Sequence, residues 1–234
     1  MKFLKKLIIA IDGESSSGKS SLARELARNI GYKHINTGSM YRAVTYYAIK
    51  NGFINKNKTN EFNHYEILEM VNNMKFEFQL VNNNSEIFIN NKNIQSEINS
   101  PEVSDFVSQI STISALRTII VNIQRNIGIN KGIVMEGRDI GSVVFPAADL
   151  KFFITADIKT RTKRRFIELN QKGIKIKEKQ VGLNLRKRDF LDKNRENSPL
   201  IQSPEAIKID NTNLSIDEQI LIINSHIKKK LKKK

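Results

Sequence analysis

Short apolar runs alternate with amphipathic stretches along most of this chain, and their order predicts its elements. Residues 7–11 are continuously apolar and rich in β-branched side chains, the pattern of a strand buried on both faces of a parallel sheet. They lead through Asp12 into a glycine- and serine-rich turn. A helical pattern follows, with Leu22, Ala23, Leu26, Ala27 and Ile30 on one face and Gly31 where a helix-ending glycine belongs. A second short strand at about residues 33–36 runs into Thr37-Gly38-Ser39-Met40-Tyr41-Arg42 and a helix that ends near Asn51-Gly52. This βαβα order predicts an α/β fold with a mostly parallel sheet and helices on both faces.

From about residue 55 to 100 the chain becomes rich in Asn and Lys, and the period switches to two in residues 74–80 and 86–89. Asn82-Asn83-Asn84 between those runs reads as a hairpin turn, so the segment is expected to be a small antiparallel β insert. A helical pattern resumes at Pro101, a favoured first-turn residue, and continues in two pieces to about residue 127. Residues 133–135 read as another buried strand, 150–154 and 207–209 as further strands, and about 159–170 as a helix. A flexible basic stretch is expected at 172–180, a charged helix from roughly 179 to 192, and a closing amphipathic helix at 216–227. No internal repeat is visible.

Composition narrows the chemistry. The chain has 234 residues, enough for one large domain with a sizeable core. Without cysteine it can build neither a disulfide scaffold nor a thiolate metal site. Its three histidines, His34, His64 and His226, show no metal-ligand spacing and read as structural or solvated. A net charge of +15 favours anionic partners, although six of the lysines crowd residues 228–234, a tail that reads as disordered and solvated. Lys2, Lys5 and Lys6 before the first apolar run imitate a signal peptide, but that run is too short. With no apolar stretch near the length of a membrane span, a cytoplasmic protein is expected.

Gly13-x-x-x-x-Gly18-Lys19-Ser20 matches the P-loop pattern, with a buried strand before it and a helix after it. Such glycines let backbone N–H groups turn inward around phosphate, and the helix N-terminus adds partial positive charge. The loop residues Gly13, Glu14, Ser15, Ser16, Ser17, Gly18, Lys19, Ser20 and Ser21 are therefore candidates for holding ATP. Lys19 would reach the β/γ-oxygens and Ser20 would place its hydroxyl on Mg²⁺. Arg42 and Arg138 follow strand ends, where ligands of open α/β sheets bind. Arg161, Arg164 and Arg165 share one helix face, which for Arg161 reads as a wet charged face. Arg186, Arg188 and Arg195 follow in the next helical segment and beyond it. Several guanidinium groups suit a transferring phosphoryl group, whose charge spreads over three oxygens.

Four segments resemble bacterial cytidylate kinases, a family of P-loop nucleoside-monophosphate kinases. They are Ile11-Asp12-Gly13 to Ser20, Asn36-Thr37-Gly38-Ser39-Met40-Tyr41-Arg42-Ala43-Val44, Glu136-Gly137-Arg138-Asp139-Ile140-Gly141-Ser142-Val143-Val144-Phe145-Pro146, and Arg188-Asp189-x-x-Asp192-x-x-Arg195. The resemblance covers nearly the whole chain in order. It implies a parallel-sheet kinase core, an enlarged monophosphate-binding region where the β insert falls, and a helical lid. Thr37 and Arg42 would hold the acceptor phosphate with Arg138 beside them, and Ser108, Arg117 and Asp139 would read the cytosine edge. Arg188 and Asp192 would hold the sugar with Arg195 close by, and Arg164 would approach the transferring group beside Lys19 and Arg138. The departures are Glu14, where proline is common, Ser21, where threonine is usual, and Glu136, where aspartate is frequent.

The resemblance implies phosphoryl transfer from ATP to CMP or dCMP with Mg²⁺, and a single kinase domain spanning residues 1–234. Within it the core would take about 1–54, 101–158 and 196–227, the insert about 55–100, the lid about 159–195 and the basic tail 228–234. A monomer with no membrane and no specific nucleic-acid partner is expected. Two other readings fit the P-loop: a kinase of UMP, AMP or shikimate, and a nucleic-acid-dependent ATPase suggested by the charge. The hairpin insert and Asp139 count against the first; only the lysine tail favours the second.

Overall fold

The computed structural model describes residues 6–55, 61–171 and 173–232. Of the segments discussed above, Lys2 and Lys5 before the first strand, residues 56–60 of the insert, Lys172, Lys233 and Lys234 lie outside the described residues. The chain divides into two compact units, one formed by residues 1–33 and 131–234 and the other by residues 34–130.

The first unit carries the sheet that the apolar runs predict. In chain order its strands are β1 (Ile8–Gly13), β6 (Ile133–Gly137), β7 (Leu150–Thr155) and β8 (Ile207–Asp210); β2 (Lys33–Asn36) is the strand within which the chain passes into the second unit. Strand order is β2-β6-β1-β7-β8, and β1 pairs in parallel with β6 and β7 while β7 pairs in parallel with β8. Apolar strands such as β1 and β6 belong in this arrangement because helices cover such a sheet. Helices α1 (Lys19–Ile30) and α8 (Ile216–Lys232) supply Leu22, Leu26, Ile220, Ile223 and Ile227 to a core shared with Ile9, Ile11, Phe152 and Ile154. Gly31 closes α1 in the left-handed conformation, its N–H reaching the carbonyls of Ala27 and Arg28. Helices α6 (Ile158–Gln171) and α7 (Glu178–Asn194) form a helical hairpin.

In the second unit, α2 (Thr37–Lys50), α4 (Pro101–Ile110) and α5 (Ser114–Ile127) pack around a three-stranded antiparallel sheet. Its strands are β3 (Phe76–Val81), β4 (Asn84–Ile89) and β5 (Lys92–Asn93). The turn expected at Asn82-Asn83-Asn84 forms on Asn82 and Asn83, both with positive φ, and Asn84 already pairs with Val81. Asn90 and Asn91 make a second such turn before β5, as the Asn preference at these positions requires.

Four expectations need correction. The segment 55–100 is not all β: α3 (His64–Asn72) precedes β3, capped by the Asn63 side chain and burying Ile67 and Val71 one turn apart. Helix α7 begins at Glu178, so only 173–177 of the expected flexible stretch is non-helical among the described residues. The basic tail is not disordered through residue 232; α8 continues to Lys232 with Leu231 packed on the core. Arg161 is buried at 4% exposure, not on a wet face. Among the described residues no single helix is long and apolar enough to cross a membrane.

Phe152 is fully buried at the centre of the sheet core, and its ring meets His226 edge-on. Phe152→Ala should cost about 3–5 kcal/mol of stability through lost burial and a residual cavity. Chemical denaturation monitored by circular dichroism measures it. A loss under about 1 kcal/mol, less than the burial of the ring alone is worth, would mean that Phe152 does not lie in the core.

Candidate active site

The loop between β1 and α1 is shaped by steric necessity. A Cβ on Gly13 would lie 2.1 Å from the Ile154 carbonyl oxygen, so no side chain fits where β1 passes β7. Gly18 (φ 87°) and Ser16 (φ 58°) take left-handed conformations that curl the loop back toward α1. Asn211, just beyond β8 and 1% exposed, props the loop: its amide donates to the Ser17 carbonyl at 2.7 Å and to Gln219 Oε1 at 3.0 Å. Arg164 donates to Asn211 Oδ1 at 3.0 Å and to the Asn211 carbonyl at 2.9 Å. Ser16, Gly18, Lys19, Ser20, Ser21, Arg164 and Asn211 line a cavity of about 460 Å³, continued by Arg165 and Ser215. Its size and cationic walls suit a nucleotide.

Lys19 is buried, and its Nζ donates to the Glu14 carbonyl at 2.8 Å. Burial strips the ammonium of water and Arg138 repels it, so its pKa falls from 10.5 to about 7 despite Glu136 and Asp192. Ser20 Oγ donates to Glu136 Oε2 at 2.7 Å, across 116 residues of sequence. A hydroxyl and a carboxylate side by side are hard oxygen donors. They fit Mg²⁺, which commonly takes one or two protein oxygens and completes its shell with phosphate and water. No cluster of three or more His, Asp or Glu that could hold a metal occurs among the described residues.

The turn after β6 carries Arg138 and Asp139. Both carboxylate oxygens of Asp12 hold it, accepting from the backbone N–H groups of Ile140 and Gly141 at 2.7 Å each. Burial lifts Asp12 from 3.8 to about 6 even so, with Asp139 adding repulsion. Arg138 Nε donates to Asp192 Oδ2 at 2.7 Å. Burial would raise the Asp192 pKa, but Arg138, Arg195 and Arg188 hold it below the usual carboxylate range. Arg195 lies 3.7 Å from Asp192 Oδ1 and 3.8 Å from Asp139 Oδ1, and a half-buried Arg188 also acts on Asp192. Within the first unit, Lys19, Ser20, Glu136, Arg138, Asp139, Asp192 and Arg195 thus belong to one connected polar network.

The other candidates lie in the second unit. Thr37 opens α2 and is buried; Arg42 donates to the Ile98 carbonyl at 3.1 Å and Ser104 Oγ at 3.0 Å. Arg117, 3% exposed, donates to the Ser111 carbonyl at 3.1 Å with its guanidinium 5.4 Å from the centre of the Tyr41 ring. Ser108 lies on α4, half-buried, its carbonyl accepting from Ser111 Oγ at 2.8 Å.

Sequence reasoning missed several members of the first unit's set. Glu136 passed only as a departure from a family pattern, although an acid at the end of a buried strand is itself a signal. Asn211 offered the same signal after β8. Arg161 donates to the carbonyls of Ala156 (3.0 Å) and Ser15 (3.2 Å) and to Asp189 Oδ2 at 2.7 Å. No pattern in the sequence pointed to those partners.

Apart from Ser20 and Glu136, whose oxygens suit a metal ion, none of these groups pairs a nucleophile with a base. They form a receptacle for phosphate, and the class they define is the P-loop phosphotransferases. Comparison with known proteins narrows the class. The family described as cytidylate kinase matches residues 9–229. The chain is 45% identical over 222 residues to the cytidylate kinase of Flavobacterium psychrophilum, covering 94% of this chain and 97% of that one. It is 44% identical over 218 residues to that of Parabacteroides distasonis (92% and 94%), and 38% over 225 residues to that of Enterococcus faecalis (96% and 97%). An uncharacterized protein of known structure from Eubacterium ventriosum shares the fold, with TM-score 0.52 at 17% identity over 95% of this chain and 99% of that one. The chain belongs to the cytidylate kinase family and is a nucleoside-monophosphate kinase.

Because Lys19 titrates near 7 in the free protein and a bound triphosphate favours the ammonium, ATP binding at pH 8 should draw in close to one proton. Calorimetric titration in buffers of different ionisation enthalpy measures that uptake. It should vanish in Lys19→Arg, and wild-type binding at pH 8 without proton uptake would show that Lys19 is already charged.

Proposed function

We propose that this chain transfers the γ-phosphoryl group of ATP to CMP or dCMP, giving ADP and CDP or dCDP. The observation that carries the reading is Lys19, a buried lysine at the head of the glycine-bounded loop and within electrostatic reach of Arg138, in a chain of this family. The acceptor is a phosphate oxygen, already anionic. It needs no strong base, and catalysis reduces to positioning, neutralisation and exclusion of water.

Each residue then has a definite task. The loop from Gly13 to Ser21 wraps the donor phosphates. Lys19 exchanges the Glu14 carbonyl for phosphate oxygens and follows the charge as it moves. Arg138 and Arg164, preoriented by Asp192 and Asn211, neutralise the transferring group. Ser20 and Glu136 would hold Mg²⁺, which supplies charge neutralisation to the donor phosphates when bound. Thr37 and Arg42 take the acceptor phosphate with Arg138; Arg188, Asp192 and Arg195 take the sugar. The hairpin of α6 and α7 is the lid that keeps water out. The reading is of a cytoplasmic monomer with no specific nucleic-acid partner.

Cytosine presents an N4 amine donor beside N3 and O2 acceptors, whereas uracil presents an acceptor in place of the amine. Asp139 with Ser108 accepts from N4 in our reading, and Arg117 donates to the O2/N3 edge.

Lys19→Ala should lower kcat on the order of a thousandfold, about 4 kcal/mol, with the fold intact. A coupled ADP-release assay across CMP, dCMP, UMP, AMP and GMP checks this and the acceptor together. Near-normal turnover of Lys19→Ala would sink the mechanism.

Specificity is tested separately. Arg117→Met should raise the KM for CMP roughly 10- to 150-fold, the cost of a charge-assisted hydrogen bond in a dry pocket, and leave the KM for ATP nearly unchanged. Asp139→Asn should lower the CMP:UMP ratio of kcat/KM, because an amide can donate to uracil O4 where a carboxylate repels it. An unmoved ratio in a variant of normal thermal stability would leave Asp139 a brace for its turn, paired with Arg195.

A further inference from the structure

Glu14 occupies the donor loop, yet its carboxylate turns away from the phosphate-binding backbone toward the lid helices. Its side chain is 11% exposed and meets Lys193 Nζ at 2.7 Å, Thr155 Oγ1 at 3.3 Å and Arg161 Nη2 at 3.5 Å. Burial alone would raise its pKa, but Lys193, Arg161 and Thr155 outweigh that and keep the carboxylate charged. The two cationic partners differ sharply. Arg161 is fixed by two carbonyls and by Asp189, whereas Lys193 is 51% exposed and holds its place through Glu14.

Asp189, Asp192 and Lys193 fall at i, i+3 and i+4 on α7, and so share one face of its last two turns. Each joins a different segment: Asp189 joins Arg161 of α6, Asp192 joins Arg138 after β6, and Lys193 joins Glu14 of the donor loop. Glu14 in turn receives Lys19 on its own carbonyl. The residue that parks Lys19 is therefore linked, through adjacent positions of α7, to the residue that orients Arg138.

From this we infer that Glu14 and Lys193 are positioning residues, which hold Arg138 in register with Lys19 by tying the end of α7 to the donor loop. The inference rests on the kinase reading above. A pair with one half-exposed member contributes little to the stability of a fold. Its effect belongs instead to the transfer step, where a displacement near 1 Å can cost up to about a hundredfold.

The test uses Lys193→Met, Glu14→Gln, their double variant and Lys193→Arg, with transfer to CMP followed by rapid quench and KM values from steady state. Lys193→Met and Glu14→Gln should each slow transfer about tenfold, with KM for CMP and ATP within about twofold of wild type and thermal midpoints little changed. The double variant should be no slower than the slower single, since both remove the same link, and Lys193→Arg should recover most of the rate. Lys193 is exposed enough that its replacement leaves folding intact even where Glu14→Gln does not. Wild-type transfer by Lys193→Met, or losses that multiply in the double variant, would overturn the inference. Should the wild-type protein phosphorylate an acceptor other than CMP, the choice of acceptor is what fails, and the same series on that acceptor still decides this inference.

Discussion

Lys19 and Arg138 sit in one desolvated region where their charged forms repel, and most of the first unit's polar architecture answers that repulsion. Coulomb energy between such charges grows steeply as water is removed, so each needs a counter-charge that leaves it free to engage phosphate. Glu136 serves Lys19 at the end of β6, and Asp192 serves Arg138 from α7. These carboxylates lie on separate elements, and the cations are drawn together by the sheet and not by one another. An incoming polyanion relieves the repulsion directly. The unliganded protein meets the same repulsion by loosening its hold on the Lys19 proton, which is why binding of a polyanion and protonation of Lys19 are coupled.

The donor loop depends on the sheet in a second, purely steric way. Gly13 passes so close to the Ile154 carbonyl that loop and strand define each other's path. The loop is then pinned from the far side by Asn211, which also orients Arg164. A loop that must present backbone N–H groups to phosphate is in this way held by contacts at the ends of β7 and β8.

Much of this was legible in the sequence. Strands buried on both faces are apolar runs, so β1 and β6 stood out with the loop between β1 and α1, while the more polar β2 and β8 were legible from their place in the alternation of strands and helices. Helix α3 did not, because its apolar positions Ile67 and Val71 are embedded in an Asn-rich stretch whose neighbours alternate like strands. The β5 hairpin was hidden by its two-residue length. At the site, local motifs announced Lys19, Ser20 and Arg138. Glu136, Asn211 and Arg161 act through partners far away in sequence, such as Ser17 for Asn211, and no spacing rule reaches across 194 residues. Arg161 shows the limit of helix-face reasoning: periodicity says which residues share a face, not whether that face is wet.

The hold of Asp12 on the turn after β6 carries a thermodynamic consequence. Its pKa rises from 3.8 to about 6 on folding, so the native state binds its proton more tightly than the unfolded chain does. This contribution to stability is fully present below pH 4, is withdrawn as the pH climbs through 6, and leaves the fold poorer by about 3 kcal/mol at neutrality. Yet only the ionised carboxylate offers two full acceptors to Ile140 and Gly141. At this one side chain, robustness of the fold and sharpness of the site pull in opposite directions, and the molecule has settled for the latter.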